Sequence, residues 1–281
     1  MKIQSVHIRN YRKLKNCHID FGEKETVLVG ANNSGKTSAI SAIVWFLKNT
    51  DRFTLKEFTA TNWASINEIG EKWLEHDSVD EALLSSHQWD NIVPSMDVWI
   101  NVEDGEQYRV NHLIPSLISW DGKKVGVRGQ YEPTDIKKLY TVYKEAKLKA
   151  KALEDTEEWE KAGSPELYPK NLCDFLGKGL NLREYFDVKY YIIDPALDPD
   201  NEDEVQITPD NEIGNNPLDG LIKVDTILAS RDLSDPEGQT DSDIDTLSKQ
   251  FQQYYKSNGQ EVEELTCEGL KLLGGIVTAN K

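Results

Sequence analysis

Hydrophobic and polar positions near the start of the chain predict two strands, a third strand and a helix. Residues 3–8 are a short β-rich segment, and apolar residues alternate with polar ones over residues 17–21, which together predict an antiparallel pair joined by a basic bend at residues 9–13. Residues 25–29 read as a buried strand. After a glycine-containing loop, apolar residues at the helical interval predict a helix over residues 38–48.

The middle of the chain predicts helices on either side of further strands. Residues 55–87 are expected to be mainly helical, with Trp63, Ile66, Trp73 and Leu74 in the core. The remaining expected elements are β-rich segments at 96–102, 107–110 and 117–128, helices at 134–162 and 172–186, and a strand at 188–193. The lysines and glutamates of the helix at 134–162 are interpreted as a solvated face.

The last third of the chain opens with an acidic stretch. Residues 194–216 are rich in Asp, Glu, Asn and Pro, which is typical of a loop. A strand over residues 221–228 is expected to lead to Arg231 and Asp232, and residues 242–273 are expected to be helical.

Composition and charge limit the classes of partner. The 281 residues carry 49 Asp and Glu against 32 Lys and Arg, a net charge of −17, so the balance does not favour DNA as a partner, although a local basic patch could still bind it. The three cysteines and five histidines show no metal-ligand spacing. Without an apolar run of about 18 residues or a secretory signal, we expect a cytoplasmic protein with no membrane contact.

The strongest motif is the segment GANNSGKT at residues 30–37, a complete G-x-x-x-x-G-K-[ST] phosphate-binding loop. Glycines let successive backbone N–H groups turn toward phosphate oxygens, and the following helix adds its positive end. Lys36 is expected to reach the β- and γ-phosphates, and the Thr37 hydroxyl to ligate Mg²⁺. A glycine turn without a ligand is the alternative. The predicted nucleotide-binding residues are Arg12, Gly30, Asn32, Asn33, Ser34, Gly35, Lys36, Thr37 and Ser38.

The run IRNYR at residues 8–12, followed by GANNSGKTS at residues 30–38, resembles the SMC, RecF and OLD (overcoming lysogenization defect) branch of ABC-type ATPases. The segment LIKVDTILASRD at residues 221–232 looks like the strand-plus-RD segment of the OLD family. The resemblance implies ATP rather than GTP, and it implies that Arg12 lies near the nucleotide phosphates. A surface turn arginine is the alternative for Arg12.

The fold implied by this resemblance is an α/β P-loop NTPase of the ABC/SMC type. It would have a mixed β-sheet around a central helix, an antiparallel β subdomain and a helical insertion at 134–187. Residues 1–281 would form the N-terminal lobe, with the acidic loop at 194–216 and with a second lobe and a nuclease domain outside this sequence. The resemblance further implies a homo-oligomer formed through the ATPase domain, a nuclease domain or subunit as partner, and a role in defence against phage.

Several family features lack a clear counterpart. The candidate for the Mg²⁺-binding strand end is residues 190–194, ending in Asp194, with residues 176–179 as a possible signature segment. Pro195 stands where the family has its catalytic glutamate, and proline cannot polarise a water molecule. Gln88, Gln107 and Gln130 are all candidates for the glutamine that senses the γ-phosphate. No catalytic residue is assigned.

Two other classes of function stay open. A P-loop kinase would need a lid with paired arginines, and the arginine-poor middle of the chain does not offer one. A non-catalytic nucleotide-sensing module would bind ATP without turnover, which agrees with the missing catalytic glutamate.

Overall fold

The fold is taken from a computed structural model that describes residues 1–48, 53–75, 85–114, 120, 122–154, 166–194, 212–214 and 216–226. Residues 1–223 form one compact unit, and of the second unit, residues 224–281, the structure describes only residues 224–226. The expected Arg231-Asp232 segment and the expected helix at 242–273 lie outside the described residues.

A six-stranded antiparallel sheet forms the centre of the first unit. In chain order the strands are β1 (Lys2–Tyr11), β2 (Leu14–Asp20), β3 (Ser95–Asn101), β4 (Lys124–Pro133), β5 (Phe186–Ile193) and β6 (Glu212–Ile213). Their spatial order is β2-β1-β3-β4-β5-β6, and every pairing between them is antiparallel. The parallel strands that would make the sheet mixed are not among the described residues.

Five α-helices flank the sheet in the described part of the chain. They are α1 (Lys36–Lys48), α2 (Trp63–Glu75), α3 (Ile136–Glu154), α4 (Leu172–Gly177) and α5 (Asn181–Tyr185). The last three fall within the expected helical insertion at 134–187. The helix expected at 172–186 is two short helices, because the chain turns between them at Gly179, whose φ is +61°.

Helix α1 packs against one face of the sheet. A Cβ added at Gly129 of β4 would lie 3.1 Å from the ring of Phe46, so glycine is what lets the helix approach the strand this closely. The Tyr190 hydroxyl of β5 donates to the Phe46 carbonyl at 3.2 Å. At the β1 end of the helix, the hydroxyls of Tyr11 and Ser41 are 3.0 Å apart. These contacts fix the middle and the C-terminal half of α1 on the sheet.

Aromatic side chains account for much of the core. Trp45 of α1 packs on Phe53 and Tyr131, with ring centroids 4.2 and 5.4 Å apart. Phe186 joins this group to Trp89, at 5.3 Å, through an edge-to-face contact. The predicted core residues Ile66 and Trp73 are buried, whereas Trp63 is 38% exposed.

The opposite face of the sheet carries a buried ionic cluster. Both oxygens of Asp97 on β3 are bound by arginines: Arg128 donates through Nε and, at 2.7 Å, through a terminal nitrogen, and Arg9 donates at 2.7 Å. Burial by itself would raise the pKa of the Asp97 carboxyl, but the two guanidinium groups outweigh it and hold that pKa below its usual value. Asp97 is therefore a charged, fully paired residue in the core.

Some predicted elements differ from the structure. The segment expected to be a strand at 107–110 is a 3₁₀ turn, Gln107–Arg109, whose Gln107 side chain accepts a hydrogen bond from the Gly105 amide at 2.9 Å. Residues 221–226 of the expected strand at 221–228 are not a strand. In both segments the apolar residues suggested a strand, but neither has a neighbouring strand to pair with among the described residues.

Replacing Asp97 with Asn tests the ionic cluster. The variant leaves two arginines without their carboxylate, and we expect it to lower the free energy of unfolding by about 3–5 kcal/mol. The measurement is urea denaturation at neutral pH. Asp104→Asn removes the same charge at an exposed turn and serves as the control. Equal free energies of unfolding in the two variants would contradict the expected loss of stability at Asp97.

We also expect the stability of Asp97→Asn to depend less on pH in acid than that of the parent. Because the pKa of Asp97 is lower in the folded than in the unfolded chain, its contribution is complete above about pH 4 and is lost as the pH falls through the folded-state pKa. Below pH 4 the parent should therefore lose more stability per pH unit than Asp97→Asn.

Candidate nucleotide-binding site

The phosphate-binding loop lies directly before α1. Its backbone turns through positive φ at Asn33 (68°) and Gly35 (99°), and the Ser34 amide donates to the Ala31 carbonyl at 3.2 Å. The first helical hydrogen bond then runs from the Ala39 amide to the Gly35 carbonyl at 2.9 Å. No acidic residue occupies the first turn of α1, so the partial positive charge of the helix start is not neutralised there.

Lys36 folds back into the loop that precedes it. Its ammonium group donates to the carbonyls of Gly30 and Ala31 at 2.7 and 2.8 Å, and to the Ser34 hydroxyl at 3.3 Å. A Cβ added at Gly30 would lie 2.8 Å from that hydroxyl, so the glycine keeps room for this arrangement. The lysine therefore holds a positive charge at the mouth of the loop.

The hydroxyl residues that follow Lys36 suit a magnesium–nucleotide complex. Thr37 lies exposed in the first turn of α1, and Ser38 is half-buried beside it. Within the described residues no three His, Cys, Asp or Glu side chains are grouped to hold a metal by themselves. Mg²⁺ commonly takes only one or two protein ligands together with phosphates and water, so the Thr37 hydroxyl is a fitting donor.

The tip of the β1–β2 hairpin packs against the loop. A Cβ added at Gly35 would lie 2.9 Å from the Leu14 side chain, and Lys13 donates a hydrogen bond to the Asn33 side chain. Burial raises the pKa of Tyr11, whose hydroxyl stays a neutral partner of Ser41 in α1. The hairpin thus contacts both the loop and the helix that carries it.

Arg12 at the same hairpin tip points to a different neighbour. Its guanidinium lies 3.3 Å from the Glu57 carboxylate and 5.4 Å from the centre of the Tyr11 ring, and its amide donates to the Glu57 carbonyl at 2.7 Å. The predicted contact between Arg12 and the nucleotide stays a prediction. The sequence analysis did not single out Lys13, whose side chain contacts the loop, although it identified the basic bend that contains this lysine.

The segment before the loop does not form the expected strand. Residues 25–29 are irregular, and the side chains of Val27 and Val29 are 72% and 88% exposed. The prediction of a buried strand is therefore wrong for this structure. The physical reason is that a strand needs a hydrogen-bonding neighbour, and no described strand pairs with this segment.

Asp194 lies far from the loop. Ile193, the residue before Asp194, lies in one row across the sheet with Gly126, Trp99 and Ser5. Ser5 is six residues along β1 from Tyr11, which lies at the hairpin tip beside the loop. At about 3.3 Å per residue this row is about 20 Å from the tip along the strands. Asp194 is thus not a magnesium ligand of this loop in the structure.

The three candidate sensor glutamines lie in three different elements. Gln130 is buried on the face opposite α1 and donates to Glu132 at 2.9 Å, and Gln107 closes the 3₁₀ turn described above. Gln88 lies in another 3₁₀ turn, Ser86–Gln88. A catalytic carboxylate is not assigned among the described residues.

A phosphate-binding loop on a helix start, packed beside an antiparallel sheet, defines a P-loop nucleotide-binding protein. The model of the AAA ATPase domain family matches residues 1–269, and the chain belongs to that family. The α/β fold is accordingly that of a P-loop ATPase, with helices around an antiparallel sheet.

Two further proteins are similar to parts of the chain. A stretch of 43 residues is 37% identical to the DNA replication and repair protein RecF of Picosynechococcus sp., covering 15% of this chain and 11% of that protein. A solved structure from work on ATP-driven dimerization and DNA-stimulated activation of SMC ATPases is 17% identical. The superposition covers 48% of this chain and 66% of that chain, with a TM-score of 0.28. A likeness at this level does not itself define the fold.

None of the helices in the described ranges is both long and apolar enough to cross a membrane.

Replacing Gly35 with Ala tests the geometry of the loop. The added Cβ meets Leu14, and φ of +99° is unfavourable for alanine, so we expect a loss of about 1–3 kcal/mol in stability or a displaced loop. Urea denaturation and calorimetric titration with ATP measure the two effects. Gly214→Ala adds the same methyl group in open space and should change stability by less than about 0.5 kcal/mol. Unchanged stability and ATP affinity in Gly35→Ala would contradict the geometry.

Proposed function

We propose that this ATPase domain binds ATP as its magnesium complex and forms the first lobe of a composite ATPase site. The observation that carries the proposal is the Lys36 ammonium group, held inside a glycine-containing loop at the start of α1. The loop, the helix start and the lysine all offer positive charge or hydrogen-bond donors in one place. A triphosphate is the ligand that matches them.

Binding would proceed by an exchange of acceptors at Lys36. Its ammonium leaves the carbonyls of Gly30 and Ala31 for phosphate oxygens, which accept stronger, charge-assisted hydrogen bonds. The amides of Asn32, Asn33 and Gly35 would donate to the same phosphates, while the Ser34 amide donates to the Ala31 carbonyl. Mg²⁺, when bound, would neutralise phosphate charge beside the Thr37 hydroxyl.

The composite site is supported by the segment before the loop. Val27 and Val29 favour a strand but lie exposed, so strands supplied by a second lobe or subunit would bury them and complete the sheet. In this proposal residues 1–281 are the first lobe, with a helical insertion at 134–187 and an acidic loop at 194–216. Hydrolysis would then require a carboxylate from outside the described residues.

The cellular role is proposed from resemblance. The RecF protein named above acts in DNA replication and repair, and the SMC ATPases in the solved structure dimerize with ATP and are stimulated by DNA. We extend this to ATP-driven self-association of an OLD-like protein, coupled to a nuclease domain or subunit and serving in defence against phage. A direct DNA contact would require a local basic patch, since the net charge is −17.

A second candidate is a nucleotide sensor without turnover. It is favoured by the position of Asp194, which lies at the end of the sheet opposite the loop. In that case ATP would order the domain and its partners but would not be hydrolysed.

The first test is titration of ATP and Mg²⁺ by calorimetry, with phosphate release followed in parallel. Lys36→Ala should weaken binding by about 10- to 100-fold, because it removes a charge-assisted contact with the phosphates. Lys2→Ala, at the far end of β1, removes the same charge and should bind like the parent. No ATP binding by the parent chain would overturn the proposal, and Lys36-dependent phosphate release would exclude the sensor.

The second test is the mass of the protein with and without ATP. In analytical ultracentrifugation a slowly hydrolysed ATP analogue should raise the fraction of dimer, because in a composite site the nucleotide contacts two subunits. Lys36→Ala should stay at the mass that the parent has without nucleotide. An identical mass distribution with and without the analogue, at saturating ligand, would count against self-association.

A further inference from the structure

The tip of the β1–β2 hairpin separates two adjacent cations. Arg12 has a φ of +52°, and the turn that it makes sends its side chain toward Glu57, while the next residue, Lys13, contacts the phosphate-binding loop. Neighbouring residues at a tight turn commonly diverge in this way. Only one of the two cations is therefore directed at the loop.

Arg12 is held in place by several groups. Glu57 accepts from its guanidinium at 3.3 Å and, through the backbone carbonyl, from its amide at 2.7 Å. The Tyr11 ring lies beneath the guanidinium. The backbone of Tyr11 also forms an antiparallel β-bridge with Phe58, the residue after Glu57. Arg12 thus fastens the hairpin to the turn at Leu55–Glu57, which is a structural role.

Lys13 has a different environment. Its ammonium donates to the Asn33 amide oxygen, a neutral acceptor, at a loop residue whose φ is +68°. Within the described residues Lys13 forms no ion pair with a carboxylate, and the same holds for Lys36. Leu14, the next residue, packs on Gly35 and fixes the base of the Lys13 side chain next to the loop.

We propose that Lys13 is a second phosphate-binding lysine of the site, supplied by the hairpin rather than by the loop. This proposal rests on the proposed function, the binding of ATP at residues 30–37. When the triphosphate is bound, the Lys13 ammonium exchanges the neutral Asn33 oxygen for a charged phosphate oxygen, which is the stronger acceptor. Asn33 keeps the ammonium at the loop until then, so little side-chain ordering is needed on binding.

The test compares neutral variants of the hairpin cations by calorimetric titration with ATP and Mg²⁺. Lys13→Met should weaken ATP binding about tenfold, and Lys13→Arg should bind within about twofold of the parent. Lys15→Met removes the same charge from β2, two residues away, and should change affinity by less than about twofold. Arg12→Met is measured beside them, once its melting curve shows that it is folded, and should lose less ATP affinity than Lys13→Met.

A salt series adds a readout that a purely structural role would not move. Because the contact is exposed and ionic, the difference between the parent and Lys13→Met should shrink as salt rises. Lys13→Gln supplies a second neutral variant, and it should give the same loss if Lys13→Met melts at a lower temperature than the parent.

The outcomes separate this inference from the proposed function. ATP binding that Lys36→Ala removes and that both neutral Lys13 variants leave unchanged would overturn the role of Lys13 alone. Equal losses in Lys13→Met and Lys15→Met would overturn it as well, because they would reflect total charge. A larger loss in folded Arg12→Met than in Lys13→Met would assign the contact to Arg12 instead. Failure of the parent to bind ATP would overturn both proposals.

Discussion

The position of α1 on the sheet is the constraint on which the candidate site depends. Phe46 packs over Gly129, and the hydroxyls of Tyr11 and Tyr190 contact the helix at Ser41 and Phe46. A larger residue at Gly129 would push the helix away from β4. Because the phosphate-binding loop continues directly into α1, the position of the loop relative to the hairpin follows from this packing. The aromatic core around Trp45 supports the same helix from the side.

Basic residues are used in two different ways in this acidic chain. Arg9, Arg128 and Arg12 are paired with carboxylates, as suits a planar guanidinium that can bind two oxygens at once. Lys13 and Lys36 instead donate to neutral oxygens of the loop. A phosphate can displace a neutral acceptor far more easily than it can displace a buried carboxylate. The net charge of −17 therefore says little about the local field at the loop.

Sequence reasoning succeeds where one local rule determines the structure. The strand-forming residues predict the β1–β2 hairpin, and the loop motif predicts a turn that leads into a helix, because each depends on residues close together in the chain. It fails at residues 25–29 and 107–110, where strand-forming residues need a neighbour that the local sequence does not contain. It also singled out Arg12 and passed over Lys13, because the neighbours of these two residues depend on the backbone turn at Arg12 and on the distant residues Glu57 and Asn33.

The distance between the phosphate-binding loop and Asp194, the candidate magnesium ligand, has a consequence for how such a domain can work. The described residues gather the candidate phosphate-binding donors at one end of the sheet, while Asp194 lies at the other end, about 20 Å away along the strands. A half-site of this kind can hold a nucleotide before it can hydrolyse it. In the proposed composite site, the partner that brings the carboxylate also buries Val27 and Val29. Assembly and activation would then be the same event, and the lifetime of the assembly would set how long the nucleotide stays intact.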